Sequence, residues 1–339
     1  MKFAGIDLHK KTITVCVVDQ SRNVIIRKRL RCADEAEIVA FFAALGGFRA
    51  VVEATSCYEW FVRLIEPFAE RVVLAHPAKL RVIAKSTRKS DKLDAQVLAQ
   101  FLALDMIPTS YRPTPRQRDH RQLVRQRCSI QRRITSVKNR MRRIMSNYNA
   151  DRPDLFSMEG LQYAKEYAVS AADRFSLNQM TAEFGFLQEQ LRAANLELKK
   201  FAANAPVLER QYRELLMSIP GVGTVTTEVV LSEIADINRF DSQKQVVAYA
   251  GLAPGQRESA GKKKELHIEK TGSRYLRWIL VEAAWQLVRY SPRWKSIHER
   301  LARRVKEKKA IVAVARRLLC LMVALLKSGE PYSAAHIAA

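Results

Sequence analysis

Four acidic residues near the start of the chain have types and positions suited to metal chemistry: Asp7, Glu53, Asp91 and Asp94. Asp7 lies in the apolar segment FAGIDL and Glu53 near the end of RAVVEA, and each segment predicts a strand. Asp91 and Asp94 lie three residues apart, on one face of a predicted helix. An acidic side chain in an apolar strand is costly to bury unless it is paired or bound to a metal ion. Carboxylate oxygens suit Mg²⁺ and Mn²⁺, and two such ions can clamp the attacking and leaving oxygens of a phosphodiester. The four acids therefore predict metal-dependent chemistry on nucleic acid.

The overall charge agrees with a nucleic-acid partner. The 339 residues include 58 Lys and Arg against 34 Asp and Glu, which gives a formal net charge of +24. Because the positive charge is clustered, it indicates a large polyanion rather than a merely solvated surface. With 48% apolar residues the chain can build two domains with buried cores.

Several other classes of protein are not expected. None of the five cysteines forms a CxxC pair or a Cys/His zinc spacing, so structural disulfides and zinc sites are not predicted. The N-terminus has no signal-peptide pattern. The longest apolar run, near the C-terminus, is interrupted by Arg316, Arg317 and Lys327, so it predicts a core helix and no membrane partner.

The first 110 residues predict an α/β domain of the RNase H-like (RuvC-like) kind. FAGIDL, TITVCVV and NVIIRKRL are rich in strand formers and close together, which predicts an antiparallel meander. The pattern continues with strands and helices in alternation. The later elements are expected as helix 34–45, strand 49–54, helix 57–69, strand 71–75 and helices within 77–104. Three strands followed by such repeats, with acids on the first strand, the fourth strand and a late helix, resemble RNase H-like nucleases in the order of their elements.

A strongly basic helix is predicted over residues 112–148. From Arg112 to Arg143 there are twelve Lys or Arg and a single acid, Asp119. A heptad-like apolar stripe with one position missed predicts that one face packs. It comprises Leu123, Ile130, Ile134, Val137, Met141 and Ile144. This excess of positive charge predicts that the helix is a track for the phosphate backbone of DNA or RNA. The candidate contacts are Arg125, Arg132, Arg133, Lys138, Arg140, Arg142 and Arg143.

The rest of the middle region, residues 111–205 in all, combines this helix with a second stripe. Residues 150–182 are less patterned and are expected to form a loop or an insertion. The second stripe has the spacing of a short coiled coil. It comprises Phe184, Leu187, Leu191, Ala194, Leu198 and Phe201. It could pair with the first helix, pair with its copy in a dimer, or belong to an ordinary helical bundle.

After this linker region, residues 206–339 predict a second domain, which is mostly helical. LLMSIPGVGTVTTEVVLSEI has the pattern of a helix-hairpin-helix motif, in which Gly221 and Gly223 let backbone N–H groups approach a phosphate. A polar, lysine-rich stretch then predicts an exposed loop or hairpin that leads into a helix at about 273–289. Its basic cluster is a candidate DNA contact, formed by Lys262, Lys263 and Lys264.

Taken in order, the signatures GIDLHK, VVEATSCYEW, KSDKLDAQVLA, IPGVG and AYAGLAP…ESAGK…KTGSRYLR resemble a known family over almost the whole chain. It is that of the DEDD transposases of the IS-one-ten and IS-eleven-eleven insertion sequences, also described as bridge-RNA-guided recombinases. The resemblance implies that the DEDD set matches the four acids above and that Ser259 is a nucleophile. The family usually follows this serine with Gly, whereas here Ala260 precedes Gly261. Ser273 falls outside the matching position and is expected to begin a helix.

The resemblance also implies the chemistry and the partners. Attack by a serine hydroxyl on the DNA backbone, assisted by Mg²⁺ or Mn²⁺, would leave a phosphoserine link that keeps the bond energy for rejoining. The implied partners are double-stranded donor and target DNA, a structured non-coding guide RNA, and further copies of the chain in a dimer or tetramer. The implied location is the bacterial cytoplasm, associated with the nucleoid.

Two alternatives stay open. A RuvC-like junction endonuclease would cut with metal-activated water and would not need Ser259. A non-catalytic nucleic-acid-binding protein would carry the four acids as structural or surface residues.

Overall fold

The computed structural model describes residues 1–55, 57–83, 91–259, 262–268 and 271–333. Within these ranges, the side chains of 81–83, 91–93, 256–259 and 262–267 are outside the description. The chain divides into two compact units, Met1–Arg112 and Pro113–Ala339. The predicted boundary at residue 205 falls inside the second unit.

The first unit is built on a five-stranded mixed sheet with the order β3-β2-β1-β4-β5. Its strands are β1 (Lys2–Leu8), β2 (Thr12–Val18), β3 (Val24–Arg31), β4 (Phe48–Glu53) and β5 (Arg71–Ala75). The first three strands form antiparallel pairs, so the predicted meander is confirmed. β4 runs parallel to both β1 and β5, because helices separate these strands in the chain.

Helices cover both faces of this sheet. They are α1 (Glu35–Ala44), α2 (Glu59–Ile65), α3 (Pro77–Ile83) and α4 (Asp91–Ala103). Because side chains alternate along a strand, Ala4, Ile6 and Leu8 of β1 pack into a core with α1 and α2. Phe3 faces the other way, into a second core with α4. Each face of the sheet therefore has its own core.

Gly5 on β1 sets the distance between the sheet and α4. A Cβ atom at this position would overlap the carbonyl oxygen of Ala95 and lie 3.0 Å from the Cα atom of Ala99. The backbone of α4 thus packs directly on β1, which no residue with a side chain would permit without a shift of the helix.

In its described residues, the second unit is helical apart from one hairpin. Its helices are α5 (Pro115–Asn147), α6 (Met158–Glu166), α7 (Ala171–Ala203), α8 (Val207–Met217), α9 (Thr224–Ile234), α10 (Gln243–Tyr249), α11 (Arg274–Tyr290), α12 (Pro292–Ala302) and α13 (Glu307–Ser328). The hairpin pairs β6 (Pro254–Ser259) with β7 (Lys262–Ile268) in antiparallel fashion. None of the described helices is both long and apolar enough to cross a membrane.

The predicted basic helix is α5, which begins at a capping box formed by Thr114 and Gln117. It lies antiparallel to α7, since Arg127 in the first half of α5 bonds Asn195 in the last part of α7, whereas Tyr148 after the end of α5 bonds Asp173 at the start of α7. Its predicted stripe is largely buried in the core between them. The second predicted stripe therefore pairs with the first helix within one chain.

The expectation of a loop or insertion over 150–182 is wrong, because α6 and the first part of α7 lie there. Each helix begins with a serine whose side chain accepts a backbone N–H, Ser157 for α6 and Ser170 for α7. The polar composition of this stretch concealed its periodicity, although both serine caps were visible in the sequence.

The remaining helices form the largest core, which also takes in Val124 and Cys128 of α5. α8 and α9 are joined by the predicted glycine turn. Gly221 has a φ of +79°, and a Cβ there would lie 3.1 Å from the backbone of Gln286 in α11. Glycine is therefore needed at this position both for its conformation and for close packing.

We predict that Gly5→Ala destabilises the first unit by about 1–3 kcal/mol, because α4 must move away from β1. Hydrogen exchange of the full chain, followed by mass spectrometry, should show faster exchange in peptides from β1 and α4. Gly185→Ala in α7 is the control, since no atom lies within 4 Å of the added Cβ. Unchanged exchange in the Gly5→Ala variant would contradict the packing described above.

Candidate active site and nucleic-acid interface

Asp7 and Glu53 lie at the carboxyl ends of two neighbouring strands. In the parallel register of β1 and β4, Ile6 lies beside Val52. Asp7 and Glu53 are the next residue of each strand, and adjacent strands lie about 4.8 Å apart. The fold therefore brings these two carboxylates to one edge of the sheet.

Both side chains point to the face that α4 covers. Gly5 lies two positions before Asp7 and contacts α4, and Val51 lies two positions before Glu53 in the core with α4. Asp94 is exposed in the first turns of α4, directly before Ala95, which packs on Gly5. Three of the four acids are thus positioned by elements that meet on this face. The side chain of Asp91, the first residue of α4, is outside the described side chains.

The surroundings of Asp7 are polar but largely closed to solvent. Its side chain is 14% exposed, and its Oδ2 atom lies 3.1 Å from Nε2 of His9. Thr14 of β2 is directly opposite Asp7 in the antiparallel ladder. The Oγ1 atom of Thr14 is buried and has no hydrogen-bond partner among the described residues.

These residues fit a divalent cation in their chemistry. Asp7, Glu53 and Asp94 offer carboxylate oxygens, and the buried Thr14 hydroxyl is a polar group that still needs a partner. Among the side chains that the structure describes, no three His, Cys, Asp or Glu are close enough to hold a metal ion by themselves. The structure thus brings Asp7 and Glu53 to one edge of the sheet, and their role as metal ligands stays a prediction.

Ser259 ends β6, where it pairs with Lys262 at the start of β7. The polar stretch is thus a hairpin, as expected. The side chains of Ser259, Lys262, Lys263 and Lys264 are outside the described side chains.

The base of this hairpin is fixed tightly. The backbone N–H of Ser273 donates to the carbonyl of Tyr249 at 2.9 Å, which joins the two ends of the segment. A Cβ on Gly272 would overlap the same carbonyl, so only glycine permits this approach. Ser273 also accepts from the N–H of Leu276 and caps α11, as its position in the sequence predicted.

A buried carboxylate, Glu233 of α9, connects the hairpin base to the basic helix. Its side chain is fully buried and accepts from both Nε and Nη2 of Arg125, at 2.8 and 3.0 Å. The hydroxyl of Ser273 also donates to it, at 2.9 Å. The hydrogen bond to Glu233 raises the pKa of Arg125. Arg125, expected as a nucleic-acid contact, therefore also neutralises an internal acid.

A second buried acid, Glu228, lies in the same helix. Arg213 of α8 donates to it at 2.7 Å, and Nε2 of His120 lies 2.6 Å away. Burial raises the pKa of Glu228, but the hydrogen bonds with His120 and Arg213 outweigh it and hold the pKa below its usual range. Sequence reasoning missed both Glu228 and Glu233, although two acids in the otherwise apolar TEVVLSEI were a visible sign.

The other predicted contact residues on α5 differ in how many partners their side chains already have within the protein. Arg142 donates to Asp151 and to two backbone carbonyls, and Lys138 lies over the rings of Phe156 and Phe184. Arg132 donates to the hydroxyl of Tyr275.

Three of the predicted contacts remain on the outer surface of α5. Arg133 and Arg140 are exposed and reach only a long ion pair of 3.8 Å with Glu183, and Arg143 is also exposed. These three are the most available to a ligand among the seven.

The predicted glycine turn offers an accessible helix start. Gly223 precedes α9 as its N-cap residue and makes no side-chain cap, and no atom lies within 4 Å of a Cβ built there. Gly221, by contrast, is used for packing on α11. The two glycines therefore serve different purposes.

Comparison with known proteins gives matches in both units. A family model of DEDD transposases of the IS110 type, described as a transposase, matches residues 4–150. A second, described as the transposase IS116/IS110/IS902 family, matches residues 213–299. Together they take in more than half of the chain, including all four acids and Ser259.

Curated relatives match over most of their length. The transposase for insertion sequence element IS1111A of Coxiella burnetii is 27% identical, over 98% of this chain and 91% of the relative. The transposase for insertion sequence element IS1328 of Yersinia enterocolitica is 25% identical, over 83% and 82%. A pilin gene-inverting protein of Moraxella lacunata is 25% identical, over 97% of each chain. The chain therefore belongs to the IS116/IS110/IS902 family of transposases, which are DNA-recombining enzymes.

Proposed function

We propose that this transposase cuts and rejoins DNA with a RuvC-like metal site formed by Asp7, Glu53, Asp91 and Asp94, and with Ser259 as nucleophile. The observation that carries the proposal is the position of Asp7 and Glu53. They lie at the carboxyl ends of adjacent parallel strands and point to the face of the sheet on which α4, the helix of Asp91 and Asp94, is packed. The mixed sheet, with its three antiparallel strands followed by two parallel ones, supports an RNase H-like fold for the first unit.

Within this proposal the four carboxylates hold Mg²⁺ or Mn²⁺. When bound, such ions withdraw charge from the phosphodiester oxygens and favour a deprotonated nucleophile. The direct contact of α4 with Gly5 matters here, because a rigid joint between helix and strand keeps the acidic groups in fixed positions.

Ser259 supplies the covalent step. Its Oγ attacks a backbone phosphorus, so that an Oγ–P bond forms while one P–O bond to the adjoining sugar breaks. The hydroxyl proton passes to water, and the released sugar oxygen takes up a proton. Attack by a sugar hydroxyl of another strand reverses these changes and rejoins the DNA without loss of bond energy. Ser259 is the last residue of β6, in a hairpin whose base is held by the hydrogen bond from Ser273 to Tyr249. This position supports the role of Ser259.

The partners in this proposal are double-stranded donor and target DNA, a structured guide RNA, and further copies of the chain in a dimer or tetramer. The names of the relatives, transposases and a gene-inverting protein, support rearrangement of DNA. The net charge of +24 supports binding of several nucleic-acid strands at once. Delegating sequence choice to base pairing with an RNA would leave the protein to bind mainly backbone. We place this activity in the cytoplasm, at the nucleoid.

We propose that nucleic acid is bound by exposed cationic side chains and by the start of one helix. The exposed Arg133, Arg140 and Arg143 of α5 bind backbone phosphates, as do Lys262, Lys263 and Lys264 of the hairpin. Gly223 exposes the uncapped start of α9 to a phosphate. Arg125, Arg132, Lys138 and Arg142 contribute charge to the same helix, while their internal contacts also stabilise the fold.

The main alternative is a nuclease that uses the same metal site to activate water. It shares the acidic residues but forms no covalent link to protein. Ser259 therefore separates the two mechanisms.

We predict that Ser259→Ala abolishes recombination and any covalent protein–DNA adduct but keeps binding to DNA within about threefold. Asp7→Asn should abolish cleavage with the same retained binding, because it removes a ligand of the ion rather than a backbone contact. Denaturing gels after reaction with labelled element-end DNA would reveal the adduct, and Ser242→Ala is the matched serine control.

Two results would decide against the serine mechanism. One is normal recombination by Ser259→Ala. The other is efficient cutting by the unaltered protein, dependent on Asp7, with no adduct, which is the behaviour of the water-using nuclease. Binding of DNA without cleavage under all conditions would favour a non-catalytic protein.

We also predict that replacing Arg133, Arg140 and Arg143 together by Gln weakens DNA binding about tenfold or more. The dependence of log Kd on log salt should flatten by about 2–3, since each phosphate contact contributes about 0.9. Arg142→Gln is the comparison: its ion pair to Asp151 is internal, so its main effect should be a lower melting temperature. An unchanged salt slope in the triple variant would exclude α5 as a phosphate track.

A further inference from the structure

Thr14 is a buried polar residue for which neither the fold nor the proposed chemistry yet accounts. It is 8% exposed, and its Oγ1 has no hydrogen-bond partner among the described residues. A buried hydroxyl without a partner lowers stability, whereas valine would fill the same space in this strand at no such cost. The hydroxyl is therefore expected to have a use.

The position of Thr14 indicates that use. It faces Asp7 directly across the β1–β2 ladder, and opposite residues of an antiparallel pair have Cβ atoms about 5 Å apart on the same face. Two positions along β2, Cys16 points into the core with α4, so Thr14 points to the same side as Asp7. At this spacing the Thr14 side chain has the reach for a change of rotamer to bring its hydroxyl toward the Asp7 carboxylate.

We infer that Thr14 is a positioning residue of the metal site, and this inference rests on the proposed function. In the structure, His9 lies against Oδ2 of Asp7. With a divalent cation held by Asp7, the Thr14 hydroxyl would donate a hydrogen bond to the same carboxylate. It thereby fixes the carboxylate's orientation, as groups behind a metal ligand commonly do.

The test compares Thr14→Val, which keeps the shape and removes the hydroxyl, with Thr14→Ser, which keeps the hydroxyl. Calorimetric titration of the full chain with Mn²⁺ alone should show affinity reduced about tenfold or more in Thr14→Val and largely retained in Thr14→Ser. In EDTA, the melting temperature of Thr14→Val should equal or exceed that of the unaltered protein, because no hydrogen bond is lost.

The outcomes separate this inference from the metal proposal. Equal Mn²⁺ affinity in the unaltered protein and Thr14→Val, or a lower melting temperature of Thr14→Val in EDTA, overturns the role of Thr14 alone. Mn²⁺ binding that is absent, or that survives Asp7→Asn, overturns the metal site itself and Thr14 with it.

A different observation concerns the charge around the junction of α12 and α13. Every residue from 303 to 309 is exposed. With the end of α12 they present six cations, which we name the C-terminal basic surface: Arg300, Arg303, Arg304, Lys306, Lys308 and Lys309. The acids beside them are only Glu299 and Glu307, both exposed.

These cations contrast with those of α5. On α5 the guanidinium groups of Arg116, Arg125 and Arg142 are each joined to an acid of the same unit. Within the described part of the chain, none of the six cations of the C-terminal basic surface forms an ion pair. The surface also lies beyond residue 299, outside the stretches that the family models match.

We propose that the C-terminal basic surface binds the phosphate backbone of duplex DNA, at a site separate from α5. Unpaired, clustered cations repel one another, and a polyanion relieves that repulsion while releasing counterions. Recombination joins two DNA segments, so the enzyme must hold two backbones at once. The basic helix α5 offers a track for one of them. The reaction therefore requires a second binding site for duplex DNA, and the C-terminal basic surface suits that partner.

The experiment replaces Arg303, Arg304, Lys308 and Lys309 together by Gln in the full chain. Fluorescence anisotropy with a labelled DNA duplex should show binding weakened about tenfold or more, with the salt slope reduced by about 3–4. A control of equal charge removes four scattered exposed cations: Lys165, Arg192, Lys244 and Arg316. This control should change the affinity and the salt slope much less, since it alters only the long-range electrostatic attraction to DNA.

Equal losses in the clustered and scattered variants would overturn the proposal, because charge alone would then explain the effect. A clustered variant that binds DNA normally but loses binding to a matched RNA duplex would assign the surface to RNA instead, and would also overturn it. Unchanged circular dichroism and melting temperature of both variants confirm that binding, and not folding, is compared.

Discussion

Compensation of buried carboxylates is the constraint on which most of this structure depends. A carboxylate withdrawn from water must meet a cation or several hydrogen-bond donors. In the second unit the chain supplies them itself: Arg125 and Ser273 meet Glu233, and Arg213 meets Glu228. These contacts tie α5, α8, α9 and the start of α11 together, and so fix the base of the hairpin whose first strand, β6, ends at Ser259. In the first unit Asp7 lies beside His9 at the sheet edge, and in our proposal a divalent cation meets the carboxylates there.

This constraint divides the positive charge of the chain into two uses. Some of the arginines of the basic helix hold the fold together through internal acids, although the sequence alone presents them all as one continuous track. The cations that remain on the outer side of α5 and in the C-terminal basic surface have no comparable internal purpose. We propose that through these groups a protein with a net charge of +24 binds several backbones. Charge counts along a sequence therefore overstate the number of residues available to a nucleic acid.

Local patterns made much of the first unit predictable. The apolar strands, the antiparallel meander and the helix of Asp91 and Asp94 all follow from periodicity, and period-two alternation accounts for why Asp7 and Glu53 point to one face. The second unit was harder, because its arrangement depends on long-range pairs. No local pattern links Arg125 to Glu233 across 108 positions, and the polar first half of α7 is helical because its apolar face packs on α5. The unpartnered hydroxyl of Thr14 likewise becomes visible only once the ladder is known.

The central claim is that a carboxylate-held metal site and a serine hydroxyl act together to give a protein-linked DNA intermediate. It is tested most directly by trapping the reaction, digesting protein and DNA, and identifying by tandem mass spectrometry the peptide that carries a nucleotide. Metal-assisted attack by Ser259 should yield one modified peptide, with the phosphodiester on Ser259, formed only with Mg²⁺ or Mn²⁺ and absent from Asp7→Asn. A nucleotide on another residue, or complete cleavage with no modified peptide, would contradict it.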